Sequence, residues 1–590
     1  MPLESDGQTS TLNSQNDAAA EIDRTSDAAQ PSGVNRRGLI KAVGGGILGA
    51  LAVQEVLAPS ALAAPAPSQP AGEPARTNAP AATAGVAGVF DVKAFGATGD
   101  GKTIDTEAIN NAIDAAEDAG GGTVRFPAGM YASFSIHLKS NVQLYIGPGA
   151  TILSAETPAT GGGGYDPAEP MATPNTFQDY GHSHWHNSLI WGEGIENAGI
   201  IGPGRIWGKN LSKGYGPGPR AETSGVGNKS IAIKNSRNIL LRDFSILQGG
   251  HFGILVTGVD NLTIDNLRID TNRDGMDIDC CRDVHVSNCS VNSPWDDAIV
   301  LKSSYALGEM RSTDHVTITN CFVSGGYQLG TLLDATFKPF DAGVRVAKTG
   351  RIKCGTESNG GFRNITISNC VFETCQGLSL ESVDGAQLED VSVTNITMRD
   401  CSDAPIFIRL GRRMRGPDGV PVGSIKRVVI SNIVCSNSPS KVCSNITGVP
   451  GYPIENVKIS NVIVLQQGGA KKDQAAVVPP EVETKYPDPD MLGPLPANGF
   501  YIRHAKDVEL RDISVMAMAP DARPTIALDT VDGADFFNVR GPDNVPVFAL
   551  TNVANFRVLG TKRVPDTELD RVNEKTLLPE PNPDTSMEKL

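Results

Sequence analysis

NLTIDNLRI, which runs from Asn261 to Ile269, is followed at Asp283 by DVHVSNCSV, and the two stretches share one pattern. In each, apolar residues alternate with other residues on both sides of a central Asn. Such alternation predicts β-strands, and the Asn marks a sharp turn between two short strands. Seven further copies have the same form, with Asn or Asp at the centre: NILLRDFSI at Asn238, HVTITNCFV at His315, NITISNCVF at Asn364, DVSVTNITM at Asp390, RVVISNIVC at Arg427, NVKISNVIV at Asn456 and DVELRDISV at Asp507.

The spacing of the copies indicates a coiled fold. Between the central Asn or Asp residues the steps are 23, 22, 32, 49, 26, 37, 29 and 51 residues. A turn of roughly 22 residues with insertions on one side explains the series, and it predicts an all-β solenoid, the right-handed parallel β-helix. Successive turns would lie about 4.8 Å apart, with the central Asn residues stacked as an internal hydrogen-bonding ladder. A propeller is the alternative, but its blades of roughly 40–45 residues give no reason for this Asn spacing.

The segment before the repeats has a different sequence pattern. Residues Phe90 to Gly101 are rich in Gly, and Thr106 to Ala119 has a helical pattern with Ile109 and Ile113 on one face. Three glycines end this segment. We expect a short helix here that caps the open end of the solenoid, because an uncapped sheet edge promotes aggregation.

The N-terminal region is predicted to be a targeting segment. Within residues 1–63, Arg36 and Arg37 precede a Gly/Ala-rich apolar run and then Ala61-Leu62-Ala63. This order predicts cleavable export by the twin-arginine route, to the periplasm or the extracellular space, without stable membrane insertion afterwards. A short membrane anchor is the alternative, but the run is too short and Gly-rich to span a bilayer well. A Pro/Ala-rich linker covers 64–87, the catalytic β-helix 88–560 and a loosely attached tail 561–590.

Charge limits the partners. The net charge is -15 and the pI is about 5.1, so nucleic acid is not an expected partner. An anionic sugar polymer would also be repelled at long range, and its binding would need Arg and Lys residues in the cleft. We expect a monomer.

The ten cysteines lie between Cys280 and Cys443. Cys289, Cys321 and Cys370 take the same place in three repeats, which favours stacked small core residues over a disulfide framework. A single bridge among Cys280, Cys281 and Cys289 stays an alternative, and no pair of CxxC motifs indicates a zinc site.

Three acidic residues form the main catalytic candidate. Asp274 precedes the adjacent pair Asp296 and Asp297 by 22 residues, which is close to one turn of the repeat. Their carboxylates would therefore meet on one surface, where they can supply the acid and the base for cleavage of a glycosidic bond. Neighbouring side chains on an ideal strand point oppositely, so both members of the pair reach a cleft only if a turn breaks the strand. A plain turn pair after Pro294 is the alternative.

A second candidate lies in a long insertion. Arg351 and Lys353 would point to the same face of a strand. Two cations beside a carboxylate surface can bind the carboxylate of a uronate sugar. A solvated basic strand face is the alternative.

Taken together, these motifs resemble glycoside hydrolase family 28, the polygalacturonases and their relatives. That family shows Asn-Thr-Asp, Asp-Asp and Arg-Ile-Lys in this order, and the opening of the domain looks like the start of the wider pectate-lyase-like group. The resemblance covers about Phe90 to Ala519. It is carried by Asn272-Arg273-Asp274, Asp296-Asp297 and Arg351-Ile352-Lys353.

The resemblance implies hydrolysis of a galacturonate-containing, pectic polysaccharide with inversion of configuration. Asp296 would be the general acid, Asp274 and Asp297 would activate water, and Arg351 and Lys353 would bind the galacturonate carboxylate. Neither a metal nor a cofactor is implied.

One departure concerns a histidine. The family places Gly-His-Gly after the acidic pair, whereas the matching stretch here, Ser324 to Gly330, has none. That His normally supports the catalytic carboxylates. Its absence argues against ordinary endo-polygalacturonase activity and favours action on chain ends or on decorated or rhamnose-containing pectin. Tyr327 or Gln328 would fill the space.

Several other residues are candidates for substrate contact. His184 and Trp185 lie in GHSHWH, where alternating His residues suit a metal on an exposed strand and the Trp suits sugar stacking. His251, one turn before Asp274, and Lys302 also approach the predicted cleft, although an ordinary structural role is the alternative for both. A basic patch could contact an acidic substrate, and a solvated loop is the alternative. It consists of Arg409, Arg412, Arg413 and Arg415.

Two other functions fit the same scaffold. A polysaccharide lyase would need a base and, usually, Ca²⁺, and its product would absorb ultraviolet light. A non-catalytic β-helix that binds glycans would release no reducing ends. Fold analogy alone does not choose among the three, whereas the Asp and Arg-Lys constellation favours the hydrolase.

Overall fold

The computed structural model describes residues 88–158, 163–170, 177–214 and 220–579. The predicted twin-arginine segment and the 64–87 linker lie outside these residues. Within the described part, no helix is long and apolar enough to cross a membrane.

Each coil of the chain contributes strands to three parallel β-sheets, and successive coils stack along one axis. This is the predicted right-handed parallel β-helix. Sheet A contains Ile136–His137, Ser188–Glu193, Lys229–Lys234, Phe252–Thr257, Asp274–Asp279, Ile299–Ser303, Ile352–Ser358, Leu378–Ser382, Ile406–Leu410 and Ser444–Thr447. Sheet B contains Val89–Asp91, Gly122–Phe126, Val142–Ile146, Glu196–Ile201, Arg237–Arg242, Asp260–Asp265, Arg282–Ser287 and Thr313–Thr319. Sheet C contains Asp100–Ile104, Gly129–Ser133, Ala150–Ser154, Arg205–Trp207, Ser245–Leu247, Arg268–Asp270, Ser290–Asn292 and Phe322–Ser324.

In the later coils, single long strands bend from one sheet into the next. Four of them join sheets B and C: Phe362–Glu373, Gln387–Arg399, Ser424–Ser438 and Ile454–Gly468. The next coils begin in sheet A: Phe500–Ala519, Ile526–Arg540 and Phe548–Leu559.

Like residues stack on like in the interior, because a parallel register repeats the inward positions of each coil. Ile254, Met276 and Ile299 are successive partners in sheet A, and all three are fully buried. Each fully buried side chain of this kind stabilises the fold by about 1.5–3 kcal/mol. The apolar residues that alternate in the sequence therefore point inward and form one continuous core along the coil axis.

The Asn ladder forms at the corner between sheets B and C. Asn461 donates to Asn432 at 2.8 Å, Asn432 to Asn395 at 3.1 Å and Asn395 to Asn369 at 3.0 Å. These residues have φ between 53° and 57°, a left-handed conformation that Asn tolerates better than most residues. The ladder was predicted to be internal, which is wrong: it lies on the exposed outside of the corner, since the turn directs each side chain away from the core.

Both ends of the coil carry different elements. The helix Thr106–Asp118 buries Ile109 and Ile113 against the first strands, as expected of a cap. At the other end, Thr567–Val572 and Thr576–Leu578 pair antiparallel with Phe548–Leu559. The predicted tail is therefore held by the sheet up to residue 579 and is not loosely attached there. The remaining short helices are Val92–Phe95, Tyr180–Ser183, Lys472–Ala475 and Pro489–Leu492.

All ten cysteines lie in the described residues, and each is buried and free of a disulfide. Cys289, Cys321 and Cys370 occupy the core, as the stacking interpretation predicted. The alternative bridge among Cys280, Cys281 and Cys289 is absent.

Candidate functional site

Asp274, Asp296 and Asp297 come together at the start of two neighbouring strands of sheet A. One side-chain oxygen from each lies within 4.8 Å of the others. Asp274 begins the strand Asp274–Asp279, whereas the acidic pair lies in the turn before Ile299–Ser303. The adjacent coils are joined where Gly275 N–H donates to the Asp297 carbonyl at 2.9 Å. The turn is the break in the strand that brings both members of the pair to one surface.

Asp297 is held as a carboxylate by two cations. Arg351 Nε donates to its Oδ1 at 2.7 Å, and Lys353 Nζ lies 3.5 Å from its Oδ2. Burial alone would raise the pKa of Asp297, but the positive charges of Lys353 and Arg351 outweigh it, and the pKa lies below its usual value.

Asp274 has the opposite environment. Burial raises its pKa well above the usual value, and the negative charges of Asp277 and Asp296 raise it further. Its side chain is only 4% exposed. Of the three acids, Asp274 therefore holds a proton most readily, which argues against its expected role as a water-activating base in the substrate-free protein.

Asp296 is the most exposed of the three acids, with 29% of its side chain accessible. Its Oδ1 accepts a hydrogen bond from Asp297 N–H at 3.0 Å, and its Oδ2 accepts one from Arg273 Nε at 2.9 Å. This carboxyl group is thus oriented by two donors while it still faces the solvent.

A layer of buried charges lies along the same sheet face. Lys302 Nζ is 3.0 Å from Glu357 Oε2 and 3.8 Å from Asp277 Oδ2, and Asp277 Oδ2 is 3.2 Å from His182 Nε2. Burial lowers the pKa of His182 well below its usual value, so its ring is neutral. The layer forms because Lys302 and Asp277 point outward from sheet A, where insertions cover them. The sequence motifs named neither Glu357 nor Asp277 as functional, although DGMDID, with its acids at alternate positions, was a signal for the second.

An insertion before Phe500–Ala519 covers the two cations that were expected to bind substrate. Asp488 Oδ1 lies 3.4 Å from Arg351 Nη2, and the Tyr486 hydroxyl lies 3.4 Å from Lys353 Nζ and 2.9 Å from Thr356 Oγ1. Arg351 and Lys353 are 3% and 1% exposed. In this structure they bind carboxylates of the protein itself, which leaves neither open to a substrate carboxylate.

Three further predicted residues lie close to the acids. Lys302 belongs to the buried layer, and His251 Nδ1 accepts from Arg273 Nη1 at 3.5 Å. Asn272 is buried in the turn just before Asp274. All three are 5% exposed or less, so they support the site from below and do not line its surface.

Trp185 and His184 do not form the predicted sugar-contact surface. Trp185 is 2% exposed, donates through Nε1 to Thr257 Oγ1 at 3.1 Å and packs under Lys234. His184 is buried and stacks on Tyr180 at 3.9 Å between ring centroids. The prediction failed because Tyr180–Ser183 is a 3-10 helix, so the alternating side chains do not share an exposed face.

Tyr327 is also placed elsewhere. Its hydroxyl donates to Glu373 Oε2 at 2.7 Å and its ring contacts Phe337, beside sheet C. Gln328 donates to the Pro339 carbonyl at 2.9 Å. The suggestion that either fills the space of the missing His is wrong, because both are bound to another part of the fold.

The basic patch divides into buried and exposed members. Arg409 donates to the carbonyls of Gly448 and Glu481, and Arg413 pairs with Asp384. These two are structural. By contrast, the side chains of Arg412 and Arg415 are 48% and 28% exposed.

Comparisons with known proteins agree with this architecture. A family model described as "Rhamnogalacturonase A/epimerase, pectate lyase-like" matches residues 89–190, and "Right handed beta helix region" matches residues 220–307. These matches agree with the right-handed parallel β-helix of the structure. A probable polygalacturonase from Vitis vinifera is 21% identical over 405 residues, 64% of this chain and 74% of that protein. Alginate lyase 7 from Azotobacter vinelandii is 48% identical over only 73 residues, 11% of this chain and 8% of that protein.

A solved structure shares the fold over most of the chain. The family 28 exopolygalacturonase of Yersinia enterocolitica has a TM-score of 0.56 and 18% identity, covering 76% of this chain and 78% of that one. The shared fold and the distant similarity to polygalacturonases agree with the predicted resemblance to glycoside hydrolase family 28.

Proposed function

We propose that the protein is a glycoside hydrolase that cleaves a galacturonate-containing, pectic polysaccharide or oligosaccharide. The observation that carries this proposal is the three-carboxyl cluster, in which the surroundings raise the pKa of Asp274 and lower that of Asp297. Two carboxyl groups pushed apart in this way provide a proton donor and a base at one pH, as glycosidic cleavage requires.

The roles follow from charge and exposure. Asp297, ionised beside Arg351 and Lys353, is the base that takes a proton from water. The proton for the leaving oxygen is held by Asp274, whose pKa burial raises, and it reaches the substrate through Asp296. Because Asp296 is the exposed member, it is the group that reaches the glycosidic oxygen, and Asp274 supports it by retaining a proton nearby.

The stereochemical course is proposed to be inversion by single displacement. Support for inversion comes from the resemblance to family 28 and not from the distance between the acids. The carboxyl oxygens of the three acids lie within 4.8 Å of one another. That spacing is shorter than the roughly 6.5–9.5 Å between carboxyl groups typical of inverting enzymes. The product anomer is therefore the measurement that decides the mechanism.

Action at chain ends is supported by the insertions beside the acids. Asp179, from the segment before Ser188–Glu193, lies 3.5 Å from Arg415 Nη2, and Phe177 contacts Tyr305. On the other side, Asp488 and Tyr486 cover Arg351 and Lys353. Walls on both sides of the acids favour a pocket that accepts one chain end over a groove open at both ends.

We further propose export by the twin-arginine route, to the periplasm or the extracellular space, and action as a monomer. Support for export is the Arg36-Arg37 segment followed by an apolar run and a small-residue site. Trapping of the precursor in the cytoplasm by an Arg36→Lys, Arg37→Lys double variant tests this.

The decisive experiment is a panel of pectic polymers and oligomers, with products resolved by chromatography and the first-formed anomer read by NMR. We expect single sugars or short oligomers from chain ends, with inverted configuration. Asp296→Asn should lower kcat by about a hundredfold to ten-thousandfold. Asp535→Asn, which removes an exposed partner of Arg557, is the matched control. Undiminished turnover in Asp296→Asn, or no reducing ends from any substrate, would refute the proposal.

A lyase on the same fold is the second candidate. It is favoured by the short match to an alginate lyase and by three acidic side chains close enough to hold a cation. Against it, Arg273 already contacts Asp296, and Arg351 and Lys353 already contact Asp297. Ultraviolet absorbance of an unsaturated product that disappears on chelation of Ca²⁺ would establish the lyase instead.

A further inference from the structure

Arg273 lies between Asn272 and Asp274 and reaches into the acidic cluster. Its Nε donates to Asp296 Oδ2 at 2.9 Å and lies 3.8 Å from Asp274 Oδ2. Only 16% of its side chain is exposed. A guanidinium placed this way contacts both Asp296, the exposed acid, and Asp274, whose pKa is raised.

The far side of the guanidinium is packed in place. Its Nη1 donates to the Lys213 carbonyl and to His251 Nδ1, both at 3.5 Å, and its Nη2 lies 4.0 Å from Asp179 Oδ2. Gly214 permits this approach, since a Cβ there would lie 2.2 Å from His251 Nδ1 and 2.9 Å from Arg273 Nη1. Such packing fixes the direction of the Nε–H bond to Asp296.

In the described part of the chain, the charged and titratable groups that contact Arg273 include two acids of the cluster, one histidine and one acid of an insertion. Asp274 and Asp296 lie on its own and the next coil, His251 on the preceding coil, and Asp179 on the insertion before Ser188–Glu193. Burial and the neighbouring Arg273 charge lower the pKa of His251 well below its usual value, so its ring accepts a hydrogen bond as a neutral group. Among the ion pairs of the described residues, none joins a histidine to Asp274, Asp296 or Asp297.

We propose that Arg273 is the positioning residue for proton transfer in this protein: it holds the Asp296 carboxyl toward the cleft with a charge that does not titrate. This inference rests on the proposed glycosidase function and deepens it. It also assigns a task to the one residue that interrupts the Asn-Thr-Asp motif. An arginine stays protonated at every working pH, whereas a histidine in the same task loses its charge near neutrality.

The sign of the pH effect follows from the contacts. A nearby cation favours the ionised form of a carboxyl group, and Arg273 lowers the pKa of Asp274 in this way, so its removal raises the pKa of Asp274 further. The alkaline limb of kcat/KM, which reports loss of the acid's proton, should then move upward by about one pH unit or more. Loss of a charge-assisted hydrogen bond that orients Asp296 should also lower kcat about tenfold to a hundredfold.

The experiment compares Arg273→Gln, Arg273→Thr and Arg273→Lys with the wild-type protein on its best pectic substrate, over the full pH range. We expect Gln and Thr to lower kcat and to move the alkaline limb upward, and Lys to restore the wild-type limb and part of kcat. Arg427→Gln, which removes an exposed guanidinium bound to Asp390 and Glu389, is the matched control and should change neither.

The outcomes separate the two proposals. A wild-type protein with no glycosidase activity refutes the proposed function. An active wild-type protein whose Arg273→Gln variant keeps the same alkaline limb refutes the inference, whether or not kcat falls. If Arg273→Gln fails to fold, Arg273→Thr decides the question, because it also removes the charge: an unmoved alkaline limb in that variant overturns the inference, and an upward shift that Arg273→Lys does not show supports it.

Discussion

Asp297→Asn is the substitution for which the structure gives the most definite expectation. The wild-type carboxylate is 3% exposed and binds Arg351 at 2.7 Å and Lys353 at 3.5 Å. An amide keeps the shape and removes the charge, which leaves two buried cations with only Asp488 and Glu381 as counter-charges. Removing one partner of a buried ion pair typically costs about 3–5 kcal/mol.

The loss should be visible as a shift in thermal unfolding. For a fold of roughly 490 residues, the entropy of unfolding near Tm is about 1 kcal/mol per degree. Dividing the lost free energy by this entropy gives an expected fall in Tm of about 3–5 °C. Differential scanning calorimetry at neutral pH measures it. Asp535→Asn, in an exposed pair with Arg557, is the control and should change Tm by no more than about 1 °C.

The pH dependence provides the sharper test. The pKa of Asp297 in the folded protein lies below its usual value, so its ion pairs stabilise the fold above the unfolded pKa of about 3.9. That stabilisation disappears as the pH falls through the folded pKa. The Tm difference between wild-type protein and Asp297→Asn should therefore be full at neutral pH and vanish in strong acid. An equal Tm for both proteins at neutral pH would refute the reasoning.

Three further predictions concern the substrate surface and the core. Tyr486→Ala removes a half-exposed ring beside Lys353 and should raise KM about tenfold, which steady-state kinetics measures. Trp185→Phe should leave KM unchanged. It should lower the free energy of unfolding by about 1 kcal/mol, because the hydrogen bond to Thr257 is lost, and calorimetry measures this. Asp488→Asn should lower KM for acidic oligomers about threefold, since its carboxylate competes for Arg351, and an unchanged KM contradicts that competition. All ten thiols should react with Ellman's reagent only after unfolding, because each is buried; rapid labelling of the native protein would show the opposite.

The coil and the meeting of the three acids were predictable because both depend on local, repeated signals. Alternating apolar residues form the strands, and each central Asn adopts a left-handed turn, as Asn288 does with φ of 57°. The 22 residues between Asp274 and Asp296 equal one coil. Residues one coil apart in the sequence lie side by side on neighbouring coils, which brings Asp274 close to Asp296 and Asp297.

The walls, and the partners that insertions bring to the supporting layer, were not predictable, because insertions have no period. His182, Tyr486 and Asp488 lie in such segments, and nothing in their spacing tells which strand they will contact. Glu357 follows Lys353 by four residues, but its pairing with Lys302 depends on the irregular register of Ile352–Ser358 against the preceding strand. Trp185 misled the sequence interpretation because an aromatic residue beside polar neighbours suits a sugar platform as well as a buried pocket.

The reversed strands Thr567–Val572 and Thr576–Leu578 cover the last edge of the parallel coil. A parallel solenoid is in principle endless, since each coil presents the same edge to the next. Thr567–Val572 and Thr576–Leu578 present that edge with the opposite chain direction, and they are short. A second copy therefore meets no template onto which its own first coil can add in parallel. Reversed strand polarity thus blocks the parallel addition of further coils at this end.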